Sequence, residues 1–275
     1  MLKRILIPLE EYDYSKVAIE YGVNLATGGN CELIGLSILD IPSIEKSIGP
    51  VPIGGTYYAS KEEKIKKEEE DNIAKKVIHE FETICRSKNI PHKIVQQEGN
   101  PEEIIIEYSQ YHDLVIMGWK TSFQYGEQKD KRLQHGVISH GICPVIIIPK
   151  IYQDIKKILL CYDGKKQSSK AIHKFVQFGI YKNQQFILLN INDDLETGEK
   201  LLDKMGEYLN SWKVSYQKVC LKGHPKEVIS SYIQENAIDL LVLGAHGNYS
   251  ITNFFFGSTT QKLIKNADHP LFIYH

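Results

Sequence analysis

Gly244-Ala-His-Gly247 is followed, nine residues on, by Gly257-Ser258-Thr259-Thr260. Glycines at this spacing let a chain turn tightly and let its backbone come close to a ligand. A helical stretch is expected from Gln261 to Ala267, so Gly257 to Thr260 would open a helix. Free N–H groups and hydroxyls at a helix start form an anion site. The chemistry implied is capture of phosphate oxygens by the backbone of Gly247, Gly257, Ser258 and Thr259, helped by the hydroxyls of Ser258, Thr259 and Thr260. His246 reads equally as a phosphate contact and as a solvated loop histidine. Before this loop runs Asp239-Leu-Leu-Val-Leu243, an apolar segment that predicts a buried parallel strand. Ligands of open α/β sheets bind beyond the carboxyl ends of such strands.

Other residues belong to the same edge. Lys157-Ile-Leu-Leu-Cys161-Tyr162-Asp163-Gly164 predicts a strand ending in an acid. A carboxylate at Asp163 can accept from a ribose hydroxyl or an adenine amine. It also reads as an Asp-Gly turn or a helix cap. Ile191 ends a second apolar run and offers an aliphatic face to a base, or simply fills core. Leu243 and Gly244 end a third. Cys161 and Tyr162 fall beside Asp163 and join the candidate ligand contacts.

Gly-x2-Gly-x9-Gly-Ser after a late strand resembles the nucleotide-binding pattern of the universal stress protein family. Asp163-Gly164 with Ser168 and Ala171, then Gly223-His224-Pro225, and a last strand Pro270-Leu-Phe-Ile-Tyr274 fit the same family. The resemblance implies adenine-nucleotide binding in the second half. ATP is the expected ligand. ADP, AMP and cyclic nucleotides would meet the same contacts, and Mg2+ is an optional companion. It implies regulation of a stress or energy response, with no catalytic residue and at most slow hydrolysis. A nucleotide-free interaction scaffold carrying a relic glycine loop is the alternative. No Gly-Lys-Ser/Thr follows the first strand of either half, and no acidic pair is set to hold magnesium and aim water. An adenylyl-transferring enzyme of the related α-hydrolase type would need a further substrate domain or catalytic loop, which the sequence does not show.

The family pattern occurs twice. Lys3 to Glu10 aligns with Lys156 to Asp163 at an offset of 153, and Ser15 and Ala18 match Ser168 and Ala171. Gly99-Asn-Pro101 matches Gly223-His-Pro225 at 124. Asp113 to Gly118 matches Asp239 to Gly244 at 126, as Pro144 matches Pro270. The first half therefore carries about 29 additional residues between its second and third strands. Two α/β domains are expected, each a five-stranded, Rossmann-like parallel sheet: residues 1–150 with an insertion at about 41–70, and 151–275 with the intact motif. Pro144 to Pro149 and Pro270 to His275 are short apolar edges. Pairing them inside one chain makes a pseudo-dimer and removes two exposed edges. A homodimer of whole chains also satisfies the pattern.

The first copy has lost the ligand chemistry. Gly247 corresponds to Thr121 and Gly257-Ser258 to Lys131-Arg132, while Asp163-Gly164 becomes Glu10-Glu11. A lysine stands where backbone would approach phosphate, so this half is not expected to bind ATP in the family's manner. Lys129, Lys131 and Arg132 read as a solvated basic loop or a weak anion attractor.

The insertion contains Pro42, Pro50, Pro52 and Gly54-Gly55, and 41–59 reads as an irregular loop. With Tyr57-Tyr58 it is a surface loop or a cover for a pocket. Ser60-Lys-Glu-Glu63 resembles a capping box. A charged helix to about Ser87 should follow, with Ile65, Ile73, Val77 and Phe81 inward.

Composition bounds the rest. The chain has 275 residues, 42% hydrophobic and 24% charged, with a formal charge of −1. That balance gives no electrostatic reason to bind nucleic acid or an acidic membrane. No apolar run reaches transmembrane length, and Met1-Leu-Lys-Arg-Ile enters a strand without a signal-peptide core. Five cysteines without Cys-x-x-Cys pairing predict buried free thiols and a cytoplasmic setting.

Overall fold

The structure is a computed structural model and describes residues 2–10, 13–27, 31–49, 55–119, 132–181, 183–245 and 269–275. Packing groups Lys3–Cys143 in one compact unit and Met1–Leu2 with Pro144–His275 in another.

In the first unit, β1 (Arg4–Leu9), β2 (Glu32–Asp40), β3 (His92–Gly99) and β4 (Leu114–Gly118) run parallel in the order β3-β2-β1-β4. The runs Arg-Ile-Leu-Ile-Pro-Leu and Leu-Val-Ile-Met-Gly are buried almost throughout, as central parallel strands covered on both faces must be. α1 (Asp13–Ala26) and α4 (Pro101–Ser109) are crossover helices, and α5 (Arg132–His140) follows β4. Asn100 caps α4, its side chain accepting from the Glu102 N–H at 3.0 Å, with Pro101 in the first turn.

In the second unit, β5 (Val145–Ile148), β6 (Lys157–Cys161), β7 (Gln185–Ile191), β8 (Tyr216–Leu221), β9 (Leu240–Gly244) and β10 (Leu271–Tyr274) are ordered β5-β10-β9-β6-β7-β8. α6 (Lys166–Phe178), α7 (Leu195–Ser211) and α8 (Pro225–Asn236) are its described helices. All its pairings are parallel except β5 with β10, which is antiparallel with Phe272 opposite Ile146. The expected union of the two terminal strands is thus present. β10 is held from one face by aromatic edges, Phe175 and Phe178 of α6 meeting Phe272 at centroid separations of 5.0 and 6.1 Å.

One device appears in both units. Asp113, just before β4, accepts from the N–H groups of Lys3 and Arg4 at 2.8 and 3.0 Å. Asp239, just before β9, accepts from Lys156 and Lys157 at 2.8 Å each. Each carboxylate satisfies the first amides of the neighbouring strand and sets the register of the pair.

The insertion departs from the sequence reading in three ways. Residues 41–48 are a helix, α2 (Ile41–Ile48), where an irregular loop is expected. Pro42 sits in its first turn, where a missing N–H costs nothing, and Asp40 caps it by accepting from the Ser43 N–H at 3.1 Å. The next helix, α3 (Thr56–Ser87), begins ahead of the expected capping box, so Ser60 lies inside it and donates to the Thr56 carbonyl at 2.8 Å. Ion pairs at i,i+4 (Glu62–Lys66, Glu63–Lys67, Asp71–Lys75) line the helix beyond this start. Finally, Ile65 is exposed, Ile73 and Val77 are half-buried, and the buried residues of α3 are Phe81 and Cys85. A helix of 32 residues is about 48 Å long, against about 30 Å for β2, so its first turns overrun the sheet. Tyr57 and Tyr58 are exposed on that overrun. Residues 50–54 of the expected loop lie outside the described residues.

Gly244 is where α6 and β9 come closest. A β-carbon there would stand 2.6 Å from the Gln167 carbonyl oxygen and nearer still to Gln167 C and Ser168 N. Backbone cannot yield as a side-chain tip can. We expect Gly244→Ala to cost about 2–3 kcal/mol by forcing α6 off the sheet, read as a lower denaturant midpoint at unchanged slope.

Candidate functional site

A crevice opens in the second unit where β6, β7 and β9 end. It is lined by Cys161, Tyr162, Asp163, Ser168, Leu189, Ile191, Pro225, Ile229, Leu243 and Gly244, and holds about 570 Å³ of space, its open mouth included. All six of the expected contacts that fall in described residues (Cys161, Tyr162, Asp163, Ile191, Leu243 and Gly244) come together here. His246, Gly247, Gly257, Ser258, Thr259 and Thr260 lie outside the described residues, as does the helical stretch expected from Gln261 to Ala267.

The walls follow from strand geometry. Successive strand residues face opposite sides, so Leu189 and Ile191 share one face of β7. Leu243 adds β9 and Ile229 adds the first turns of α8, giving an aliphatic slot. Pro225 begins α8, which directs that helix start at the same sheet edge.

The polar end of the slot is Asp163. Its Oδ1 accepts from the Ser168 hydroxyl at 2.6 Å and from the Lys165 N–H at 3.0 Å. Gly164 follows at φ 77°, the left-handed conformation an Asp-Gly turn needs. The turn and the ligand contact are therefore compatible. The turn uses Oδ1, while among the described residues Oδ2 has only the exposed Lys165 ammonium at 3.7 Å and remains an acceptor at the crevice. Ser168 is buried and close enough to steer the carboxylate because α6 packs on Gly244. At Gly244 the missing side chain is required for helix–strand contact, while the turn expected to run on to Gly247 lies outside the described residues.

Sequence reasoning missed four lining residues as site residues: Ser168, Leu189, Pro225 and Ile229. Leu189 was recoverable from period-2 alternation with Ile191. Pro225 was recoverable from its place at the start of the helix after β8. It also passed over Asn190. This side chain is 1% exposed on the far face of β7 and donates from Nδ2 to the Tyr162 carbonyl at 2.7 Å.

At the corresponding edge of the first unit, strand ends bond the chain's own side chains. Gln134 of α5, buried, donates from Nε2 to the carbonyls of Gly118 and Trp119, each at 3.1 Å. Glu10 is buried at the end of β1, and its backbone N–H and carbonyl both bond the Ser15 hydroxyl at 2.7 Å.

None of the five cysteines is in a disulfide among the described residues. Cys31, Cys85 and Cys143 are buried as expected, while Cys161 and Cys220 are half-buried. Burial, with the Asp163 carboxylate adding to it, pushes the Cys161 thiol up to about 12. Burial raises Cys31 and Cys85 to about 11. Thiolate is the reactive form, and at pH 8 a thiol at about 12 is ionised to roughly one part in ten thousand. Iodoacetamide at pH 8 should leave Cys161 unmodified in the folded protein and alkylate it in denaturant, as read by peptide mass spectrometry.

Among the described residues, no helix is long and apolar enough to cross a membrane, and no group of three or more His, Cys, Asp or Glu side chains is placed to hold a metal ion.

Comparison with known proteins agrees with this architecture. The profile of the Universal stress protein family matches residues 1–149 and 196–275. Universal stress protein Slr1230 of Synechocystis sp. is 24% identical over 293 aligned positions, covering 98% of this chain and 99% of its own. The crystal structure of a universal stress protein from Archaeoglobus fulgidus is similar with a TM-score of 0.70 at 18% identity, covering 99% of this chain and 96% of that one. A putative universal stress protein from Pseudomonas aeruginosa reaches 0.62 at 12% identity, covering 99% and 93%. At such identities the structural likeness speaks for the fold, and the family match speaks for descent. The chain belongs to the universal stress protein family.

Proposed function

We propose that this protein binds one adenine nucleotide, ATP foremost, in the second of two tandem domains, and acts as a regulatory binding protein. The observation that carries this is the crevice at the ends of β6, β7 and β9. Its aliphatic slot suits the face of a planar base, and the Asp163 Oδ2 at its polar end suits a ribose hydroxyl or an adenine amine. The chain leaves the crevice at Gly244 and continues directly into Gly247 and Gly257-Ser258-Thr259-Thr260. Backbone amides and hydroxyls of that segment supply the phosphate contacts in this reading.

Only one half is equipped. Lys131 and Arg132 replace Gly257 and Ser258 in the first half, and Gln134 already bonds the carbonyls at the end of β4. The last strand of the sequence's first half, β5, which packs within the second unit, then serves assembly by pairing with β10. Binding with a conformational or partner readout fits better than turnover, because the sequence carries no Gly-Lys-Ser/Thr after a first strand and no acidic pair set to hold magnesium and aim water. Five cysteines without a disulfide among the described residues support action in a reducing, cytoplasmic compartment. The near-neutral charge supports no role on nucleic acid or membrane surfaces.

The test is to denature freshly purified protein and identify the released nucleotide by chromatography and mass spectrometry. About one ATP or ADP per chain is expected. Two per chain would refute the silence of the first half. None, together with no heat of ATP binding in calorimetry, would reject nucleotide binding and favour an interaction scaffold. Gly257→Lys, which installs the first half's residue, should abolish binding, and Asp163→Ala should weaken it about tenfold, the loss of one hydrogen bond to a charged acceptor.

A further inference from the structure

We infer that Asn190 and Ser168 form a two-sided clamp on the Tyr162–Asp163 peptide, and that this clamp aims Asp163 at the bound nucleotide. The inference rests on the nucleotide reading above and adds two positioning residues to it.

Tyr162 C=O and Asp163 N–H belong to one peptide unit. That unit lies just beyond the end of β6, where the parallel ladder with β7 stops: the last registered pair is Cys161 with Leu189, followed by the Tyr162 N–H bonding the Leu189 carbonyl at 2.9 Å. Past this point side chains take over. The Asn190 Nδ2 donates to the Tyr162 oxygen at 2.7 Å from one side. On the other side the Asp163 N–H points to the Ser168 hydroxyl at 3.4 Å, and that hydroxyl donates to Asp163 Oδ1 at 2.6 Å. Both clamping residues are buried, at 1% and 5% exposure. With its peptide fixed at both ends and one carboxylate oxygen engaged, Asp163 is left with a narrow range of orientations for Oδ2.

The cost of Asn190 argues that it is kept for this bond. Its Oδ1 is buried with no hydrogen-bond partner among the described residues. A buried acceptor left unmade is destabilising, and a leucine of nearly the same size would avoid it. Space for the amide also depends on Gly198 of α7, where a β-carbon would come within 2.8 Å of Asn190 Oδ1.

The first unit is an internal control. Adding the repeat offset of 153 places Ser37 at the position of Asn190, and in β1–β2 it pairs with Leu9, the counterpart of Tyr162. A serine side chain carries no amide with which to span to the neighbouring strand end. Ser15, the counterpart of Ser168, donates to the Glu10 backbone carbonyl instead of to a carboxylate. The full clamp is found with Asp163 and not with Glu10.

The experiment is a double-mutant cycle in the full-length chain, with ATP affinity measured by calorimetry. Asn190→Leu and Ser168→Ala are each combined with Asp163→Ala. Each single change is expected to weaken ATP about three- to tenfold, and to have less than a twofold effect once Asp163 is alanine, because its route to the ligand is gone. A merely structural role would lower affinity by the same factor in both backgrounds, and that additivity would overturn the clamp. Unchanged affinity in both single variants would overturn it too. Two substitutions on opposite sides guard against one that disturbs folding, which thermal melting of each variant monitors. If the unaltered protein binds no ATP, the nucleotide reading falls first, and the clamp with it. If it binds and the variants match it, only the clamp falls.

Discussion

The approach of α6 to the end of β9 is the constraint from which the candidate site follows. Residue 244 has no room for a side chain, because the backbone of Gln167 and Ser168 already occupies that space. This contact fixes where the helix begins. The start of α6 then brings the Ser168 hydroxyl to Asp163, and the Asp163-Gly164 turn is what lets the chain pass from β6 into the helix at that distance. Were α6 shifted outward by the width of a methyl group, Ser168 would lose the carboxylate and the crevice would lose its polar end. Strand order contributes the remainder. With β6 between β9 and β7, the ends of three strands converge on one opening.

Most of the strands were legible because parallel strands covered on both faces must be nearly continuous in apolar residues, and such runs are hard to mistake when they repeat at fixed offsets. The repeat itself located Asp113 and Asp239 as equivalents, and the structure shows them making the same pair of backbone bonds. The insertion was less legible for a physical reason. Pro42 punctuates a loop and also opens a helix, and the difference lies in whether the preceding Asp40 caps it, which is a matter of geometry. The burial of α3 was misjudged because helical periodicity reports which face is apolar and does not report how far the supporting sheet extends. Ile65 also stands roughly 160° around the helix from Phe81, so the two do not share a face, and Ile65 is exposed.

At the crevice the readable residues were those ending a strand or belonging to a glycine motif. Asn190 was unreadable because it is polar in the middle of an apolar run, and a sequence offers no hint of the carbonyl it meets across the sheet. Ser168 was quoted for its resemblance to the family, while its work on Asp163 depends on the turn geometry at Gly164. Residues that support others carry little signal of their own. Their roles appear when hydrogen bonds are traced outward from the group that touches the crevice.

Duplication within one chain separates what holds the fold from what serves a ligand. Both halves keep the aspartate before the fourth strand, the serine in the first helix and a proline opening the helix after the third strand. These features set register, close a turn and start a helix, and a half without a ligand still needs them. The halves differ where a strand end would meet a small molecule. Asp163, Asn190 and the glycine loop stand against Glu10, Ser37 and the basic segment from Lys129 to Arg132. In the first half, Gln134 satisfies the Gly118 and Trp119 carbonyls internally, so that edge is stable without an occupant. The second half carries at Asn190 a buried oxygen without a hydrogen-bond partner among the described residues, and the first half carries the His112 Nε2 in the same state, so such costs fall in both halves. The contrast between the halves therefore rests on the strand-end residues themselves, and the nucleotide reading follows those residues.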